Sequence, residues 1–337
     1  MIFTLVPEAV VPGRRPCKSS THACRLRLAR CLSAITKLLD WESGDRSERH
    51  IVTYVPNIQG SPATREQVAM TRRVVIKLGT NVVMRDHGRL ALSRIYGIAE
   101  SVARLREQGR DVLMVSSGAV GLGMERIGLA IRPTELSQIQ ACAAIGQSRL
   151  MAIYDDAFDK LGFQTAQVLL TEDDFRDPVR YSNLRSTLVS LLSMGVIPVI
   201  NENDTVSTAE LDHPADSPER QRVFGDNDKL SALVMTHIDA DLLLLLSDVD
   251  GLYTAEPGTD HAQLLSRVTL ITEEILGFAQ GKNGRGRGGM STKLEAARIA
   301  TEADGMAVIA NGRLPHVIER VCAGEILGTL FLPRGTE

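Results

Sequence analysis

Short runs that are apolar at nearly every position alternate along this chain with longer stretches in which apolar residues recur every three or four positions. The first pattern is that of strands buried on both faces, the second that of amphipathic helices laid on a sheet. Arg73 to Leu78 reads as a strand running into Gly79. Apolar residues at Ile95, Ile98, Val102 and Leu105 predict a helix over 91–108, closed by Gly109. A second strand over 111–115 ends in the turn Ser116-Ser117-Gly118. A long helix follows over 134–161, with Thr134 as its N-cap. Strand, helix and strand are predicted at 165–170, 181–194 and 196–200, then helix and strand at 227–238 and 241–246. A helix over 291–303 and strands at 306–310 and 329–332 complete the pattern. Such alternation predicts an α/β fold, a three-layer α/β/α sandwich on a mainly parallel sheet, with ligands beyond the carboxyl ends of its strands.

The first 70 residues break this rhythm. They hold ten Lys/Arg against six Asp/Glu, and Pro12 to Lys37 contains no acid at all. Arg25, Arg27 and Arg30 lie among Leu26, Leu28 and Leu32 at weakly amphipathic spacing. A transit peptide would have this composition. A poorly ordered extension over 1–70 is the reading adopted, with Met70, just ahead of the first good strand, as the expected true start. Residues 71–333 then form the folded domain. A second irregular stretch, Ser207 to Arg222, carries Pro214, Pro218 and several charges; it reads as a surface insertion or as a lid.

Composition narrows the classes of partner. Apolar residues make up 44% and charged residues 23%, as in ordinary globular proteins, and aromatics only 4%, so the core must be aliphatic. A net charge of −3 argues against nucleic acid. No apolar stretch approaches the roughly 18 residues needed to span a bilayer. Five cysteines without a CxxC pair or metal-ligand spacing predict free thiols and a cytoplasmic protein.

Four polar clusters sit at predicted strand ends. Lys77 with Gly79, Thr80 and Asn81 suits a phosphate, although a lysine snorkelling at a strand end fits equally. Ser116 to Gly121 is a small-residue turn whose N–H groups can hold an anion or simply make a tight connection. Asn201-Glu202-Asn203-Asp204 and Phe224-Gly225-Asp226-Asn227-Asp228-Lys229 are dense in carboxamides and carboxylates. They could grip an amino group and position cationic catalysts, or serve as turns. Ser247-Asp248-Val249-Asp250 pairs with the glycine run Gly284 to Gly289, which leads through Met290, Ser291 and Thr292 to Lys293. Residues 284–289 match GxGxxG in form, but no strand precedes them, so no dinucleotide fingerprint is read. Neither a GxxxxGK[ST] loop nor an HRD and DFG set occurs.

Taken in order, VVIKLGTNVV, SSGAVGLG, VIPVINENDTVST, FGDNDKLSALV, LLLLLSDVDGLYT and GRGGMSTKLEAA resemble the amino acid kinase family, within it the glutamate-phosphorylating branch. The likeness runs from about Arg72 to Pro333. It implies the three-layer fold, ATP with Mg²⁺, and transfer of a phosphoryl group to the side-chain carboxylate of L-glutamate. Carried over position by position, Lys77 and Lys293 contact the transferred group and Asp228 orients them. Ser117, Asp204 and Asn227 bind glutamate. Ser247, Asp248 and the segment Arg287, Gly288, Gly289, Met290, Ser291, Thr292 and Lys293 line the nucleotide site, and the metal comes with the ATP phosphates. The resemblance further implies feedback inhibition by proline, a homodimer or homotetramer, and glutamate-5-semialdehyde dehydrogenase as a partner.

Two departures stand out. Arg287 occupies a position where many bacterial members carry Thr. The chain also ends soon after the strand at 329–332, so the C-terminal PUA domain of many members is expected to be absent. A sister kinase acting on another acceptor and a nucleotide-binding regulator without catalysis are the competing readings.

Overall fold

The computed structural model describes residues 62–85, 89–207, 227–279 and 289–334. Eight strands form one sheet: β1 (Arg73–Leu78), β2 (Asp111–Ser116), β3 (Thr165–Leu170), β4 (Ile197–Glu202), β5 (Leu242–Ser247), β6 (Arg267–Val268), β7 (Met306–Asn311) and β8 (Thr329–Phe331), in the spatial order β3-β4-β2-β1-β5-β7-β8-β6. The helices are α1 (Pro62–Ala69), α2 (Thr80–Val83), α3 (Leu92–Glu107), α4 (Ala119–Ile127), α5 (Leu136–Asp159), α6 (Asp173–Arg176), α7 (Pro178–Ser193), α8 (Asn227–His237), α9 (Glu273–Ala279), α10 (Met290–Glu302) and α11 (Val317–Cys322). Each predicted strand is present within two residues of its expected ends. The predicted helix at 181 begins three residues earlier, because the Asp177 carboxylate caps the N–H groups of Val179 and Arg180 and Pro178 fits the first helical turn.

Six strands run parallel; β8 pairs antiparallel with β7, and β6 follows β8. Layers on both faces cover the sheet. Helices α1, α3, α5 and α11 pack on one side, and α7, α8, α9 and α10 on the other. Side chains alternate between faces along each strand. Val74, Ile76 and Leu78 of β1 therefore join Met114, Leu244, Ile95, Val102 and Phe158 in the first core, while Val75 and Lys77 face α8 and α10. Leu242 to Leu246 are fully buried, as strands sandwiched between two helical layers must be.

The expected boundary at residue 70 is corrected by α1. Val68 is fully buried, and the Arg65 guanidinium, 2% exposed, donates to the carbonyls of Leu327 (3.0 Å), Ser266 (3.0 Å) and Gly328 (3.3 Å). Burial lowers the Arg65 pKa to about 10. From the other side Arg110 donates to the carbonyls of Ala69 and Cys322. Residues 62–69 thus belong to the folded body, fastened to the segment that leads into β8. The basic stretch from Pro12 to Lys37 and nearly all of the irregular stretch after Ser207 lie outside the described residues.

Candidate active site

Three charged side chains distant in sequence meet above the carboxyl end of β1. Pleating aims Lys77 at the layer of α8 and α10, where Asp228 stands in the first turn of α8 and Lys293 in the first turn of α10. The Lys77 ammonium lies 2.5 Å from Asp228 Oδ1, and that of Lys293 lies 3.2 Å from Oδ2. Thr292 donates to the same Oδ2 at 2.8 Å, and Lys293 also donates to the Gly289 carbonyl at 2.9 Å. All three charged residues are at least nine-tenths buried. Burial pushes the Asp228 carboxyl upward, but the ammonium of Lys77, then that of Lys293, outweigh it, and the net direction is down. Glycines permit this crowding. A Cβ at Gly79 would stand 3.2 Å from the Leu246 carbonyl, and Gly289 caps α10 at φ +83°, where it faces the Lys293 ammonium.

One carboxylate against two ammonium groups leaves an excess positive charge in a poorly solvated place. The N-terminus of α10 adds partial positive charge beside it. A polyanion is the natural complement.

Beyond β2 and β4 lies a neutral polar patch. Asn227 Nδ2 reaches the Ser116 carbonyl (3.1 Å), Ser117 Oγ (2.9 Å) and Asn201 Oδ1 (2.9 Å). Asn201 Nδ2 in turn donates to Gln147 Oε1 at 2.8 Å. Asp204 stands in the turn after β4, its pKa raised to about 7 by burial and then by the charge of Glu202, with Arg132 opposing. On the opposite flank, a cavity of about 150 Å³ is lined by Ser247, Asp248, Tyr253, Phe278, Met290 and Lys293 among others. Asn81 donates to Asp248 Oδ2 at 2.8 Å. Burial presses the Asp248 carboxyl upward, yet the hydrogen bonds from Asn81 and Ser247 and the charge of Arg313 carry it below its ordinary value.

The structure therefore brings Lys77, Asp228 and Lys293 into direct contact. Ser117 and Asn227 meet on one flank, with Asp204 in the turn that follows β4; Ser247, Asp248, Gly289 and Met290 gather on the other, and Thr292 braces Asp228. Ser291 lies in the first turn of α10. Arg287 and Gly288 lie outside the described residues. Sequence reasoning missed Gln147 and Phe278. Each is a single residue on a helix without a motif around it, and only tertiary contact gives it a place in the site.

A buried cationic pair between a polar patch and a cavity, at the strand ends of a mainly parallel three-layer sandwich, suits phosphoryl transfer between two small molecules, the class of a small-molecule kinase. A profile of the amino acid kinase family matches residues 72–311. A glutamate 5-kinase of Gloeobacter violaceus is 49% identical over 260 residues, 77% of this chain and 68% of that one. Another from Listeria monocytogenes serotype 4b is 42% identical over 275 residues, 81% of this chain and 97% of that one. Among solved structures, a UMP kinase from Bacillus anthracis shares the fold at TM-score 0.52 and 18% identity, covering 78% of this chain and 96% of its own. An isopentenyl phosphate kinase of T. acidophilum does so at 0.51 and 16%, covering 77% and 99%. The chain belongs to the amino acid kinase family.

Proposed function

We propose that this chain transfers the terminal phosphoryl group of ATP to the side-chain carboxylate of L-glutamate, giving L-glutamyl 5-phosphate and ADP. The observation that carries the reading is the buried pair Lys77 and Lys293 on the single carboxylate of Asp228. The identity to glutamate 5-kinases over most of the chain supports the choice of acceptor.

A glutamate side chain has a pKa of about 4.3, so at neutral pH it is already the nucleophile and no general base is required. The task is to bring that anion up to a triphosphate. One carboxylate oxygen forms the new bond to the terminal phosphorus as the bond from phosphorus to the bridging oxygen breaks, and the electron pair leaves with ADP. No proton moves. Lys77 and Lys293 neutralise the oxygens of the migrating group, Asp228 keeps both ammonium groups in register, and Mg²⁺ enters with the nucleotide. Ser117, Asn227 and Asp204 hold glutamate, with the Asp204 carboxylate facing its ammonium. Ser247, Asp248 and the start of α10 hold ATP, with Arg287 and Gly288 in the same segment.

Proline shares the α-carboxylate and amino nitrogen of glutamate, and it competes for the same patch in this reading. The acyl phosphate product is labile, which calls for a reductase such as glutamate-5-semialdehyde dehydrogenase. A homodimer or homotetramer in the cytoplasm completes the proposal; among the described residues no helix is long and apolar enough to cross a membrane. Hydroxylamine trapping of the acyl phosphate, with L-glutamate, N-acetylglutamate and L-aspartate offered in parallel, is the test. Product from glutamate alone is expected, suppressed by proline. Preference for either other acceptor would replace the assignment.

A further inference from the structure

The polar patch beyond β2 and β4 contains a chain of three side-chain amides whose orientation can be worked out atom by atom. The Glu202 N–H donates to Asn201 Oδ1 at 2.9 Å. A backbone donor fixes which end of that amide is oxygen. Asn201 Nδ2 must then point the other way, at Gln147 Oε1, 2.8 Å away. At the far end, the Ser116 carbonyl can only accept, so Asn227 presents Nδ2 there and to Asn201 Oδ1. Two atoms of this buried chain have no partner among the described residues: Gln147 Nε2 and Asn227 Oδ1. A buried acceptor held without a partner is costly unless something arrives to use it.

Gln147 reaches Asn201 because α5 crosses α4 almost backbone to backbone. A Cβ at Gly146 would lie 1.8 Å from the Ala119 carbonyl, and one at Gly123 would lie 1.8 Å from that of Cys142. No side chain larger than hydrogen fits at either place, so α5 is pinned at one height against the loop that carries Ser117. Tyr154, two turns further on, makes a second bond from α5 to the end of β2, at 2.7 Å to Ser116 Oγ.

We infer that Gln147 is a positioning residue for the acceptor site: its Oε1 anchors the Nδ2 end of the Asn201 amide while the Glu202 N–H holds the Oδ1 end, and Asn201 Oδ1 together with the Ser116 carbonyl sets Asn227 with its Oδ1 left to accept an N–H of the acceptor substrate. This deepens the proposed function and rests on it for the identity of that substrate. Without Gln147 Oε1 the Asn201 amide keeps one anchor, the Glu202 N–H, and the acceptor it offers Asn227 Nδ2 is less firmly placed. Gln147 itself need not touch the substrate.

The test compares three substitutions at one position in the full chain. Gln147→Met keeps length and volume without a good acceptor. Gln147→Asn keeps an amide but is one methylene too short to reach. Gln147→Glu restores an acceptor at the same reach. Met and Asn variants are expected to raise the glutamate KM about tenfold, the effect of loosening one buried hydrogen bond, with the ATP KM within about twofold and kcat little changed. The Glu variant should return the glutamate KM to within about threefold of the parent. Thermal melts run alongside; if the Met variant does not fold, the Asn and Glu pair carries the comparison. An unchanged glutamate KM in a folded Met or Asn variant, or an equal rise for ATP, overturns the inference. A parent chain that fails to phosphorylate glutamate overturns the proposed function instead, and the two failures are told apart by the first assay.

Discussion

At Asp228 a single carboxylate balances two ammonium groups, and the remaining charge is what an incoming phosphate would meet. Lys77→Ala and Lys293→Ala should each lower kcat at least about a hundredfold, the scale of removing one preorganised transition-state donor. Near-normal turnover in either would remove that lysine from the mechanism. Asp204 makes a different kind of prediction. Its pKa of about 7 in the unliganded fold means that the carboxylate needed by an ammonium group is only half formed at neutral pH. The glutamate KM should therefore fall as pH rises from 6 to 8, by up to about tenfold per unit on the acid side of 7, and level above it. Asp204→Asn should flatten this profile. The same shift has the opposite sign for stability. A carboxyl raised above its unfolded value of about 3.9 favours the unliganded fold at low pH, and that contribution is lost as pH climbs through about 7. Unfolding curves of the parent and Asp204→Asn should accordingly diverge between pH 4 and 7, with the variant the more stable at neutral pH; parallel curves would show that Asp204 is not the group that titrates.

Elements were legible in the sequence where burial was two-sided. Runs such as Leu242 to Leu246 admit one reading, and the strands and long helices fall close to their predicted places. What escaped was short or polar. Helix α1 spells PATREQVA; Val68 is fully buried, and the helix's hold on the body comes from Arg65, a residue type that composition assigns to the surface. Two-residue β6 is equally silent, and the reversal of β8 against β7 is set by contacts no local pattern encodes. The correction at α1 is testable. Removing the Arg65 side chain takes the donor from the carbonyls of Leu327 and Gly328 and leaves that of Ser266 to the Leu330 N–H, around the segment leading into β8. Arg65→Ala should lower the unfolding free energy by about 2–4 kcal/mol, read from the denaturant midpoint at unchanged m-value. A chain beginning at Met70 should be at least as impaired. Full stability in that truncated chain would mean that α1 is an ornament of the fold.

Across the whole molecule the sheet divides the labour of the site. Strands β2 and β4 carry Ser117 and the run Asn201 to Asp204, β5 carries Ser247 and Asp248, and β1 stands between them with Lys77. The lysines and Asp228 were readable from motifs because their chemistry is concentrated in a few unusual residues, whereas the walls of the flanks were not, being single side chains lent by helices. Phe278 from α9 lines the cavity beside β5 but has no place in the patch near β4. Phe278→Ala should therefore raise the ATP KM several-fold through lost apolar contact, leaving the glutamate KM within about twofold. Asp204→Ala should do the reverse. Because the two side chains share no partner among the described residues, their effects on kcat/KM should add on a logarithmic scale to within about 0.5 kcal/mol in the double variant. Clear non-additivity would mean that the two flanks are coupled through the central strand, and the picture of two independent half-sites joined only by Lys77, Asp228 and Lys293 would have to give way to one in which binding on either side reshapes the other.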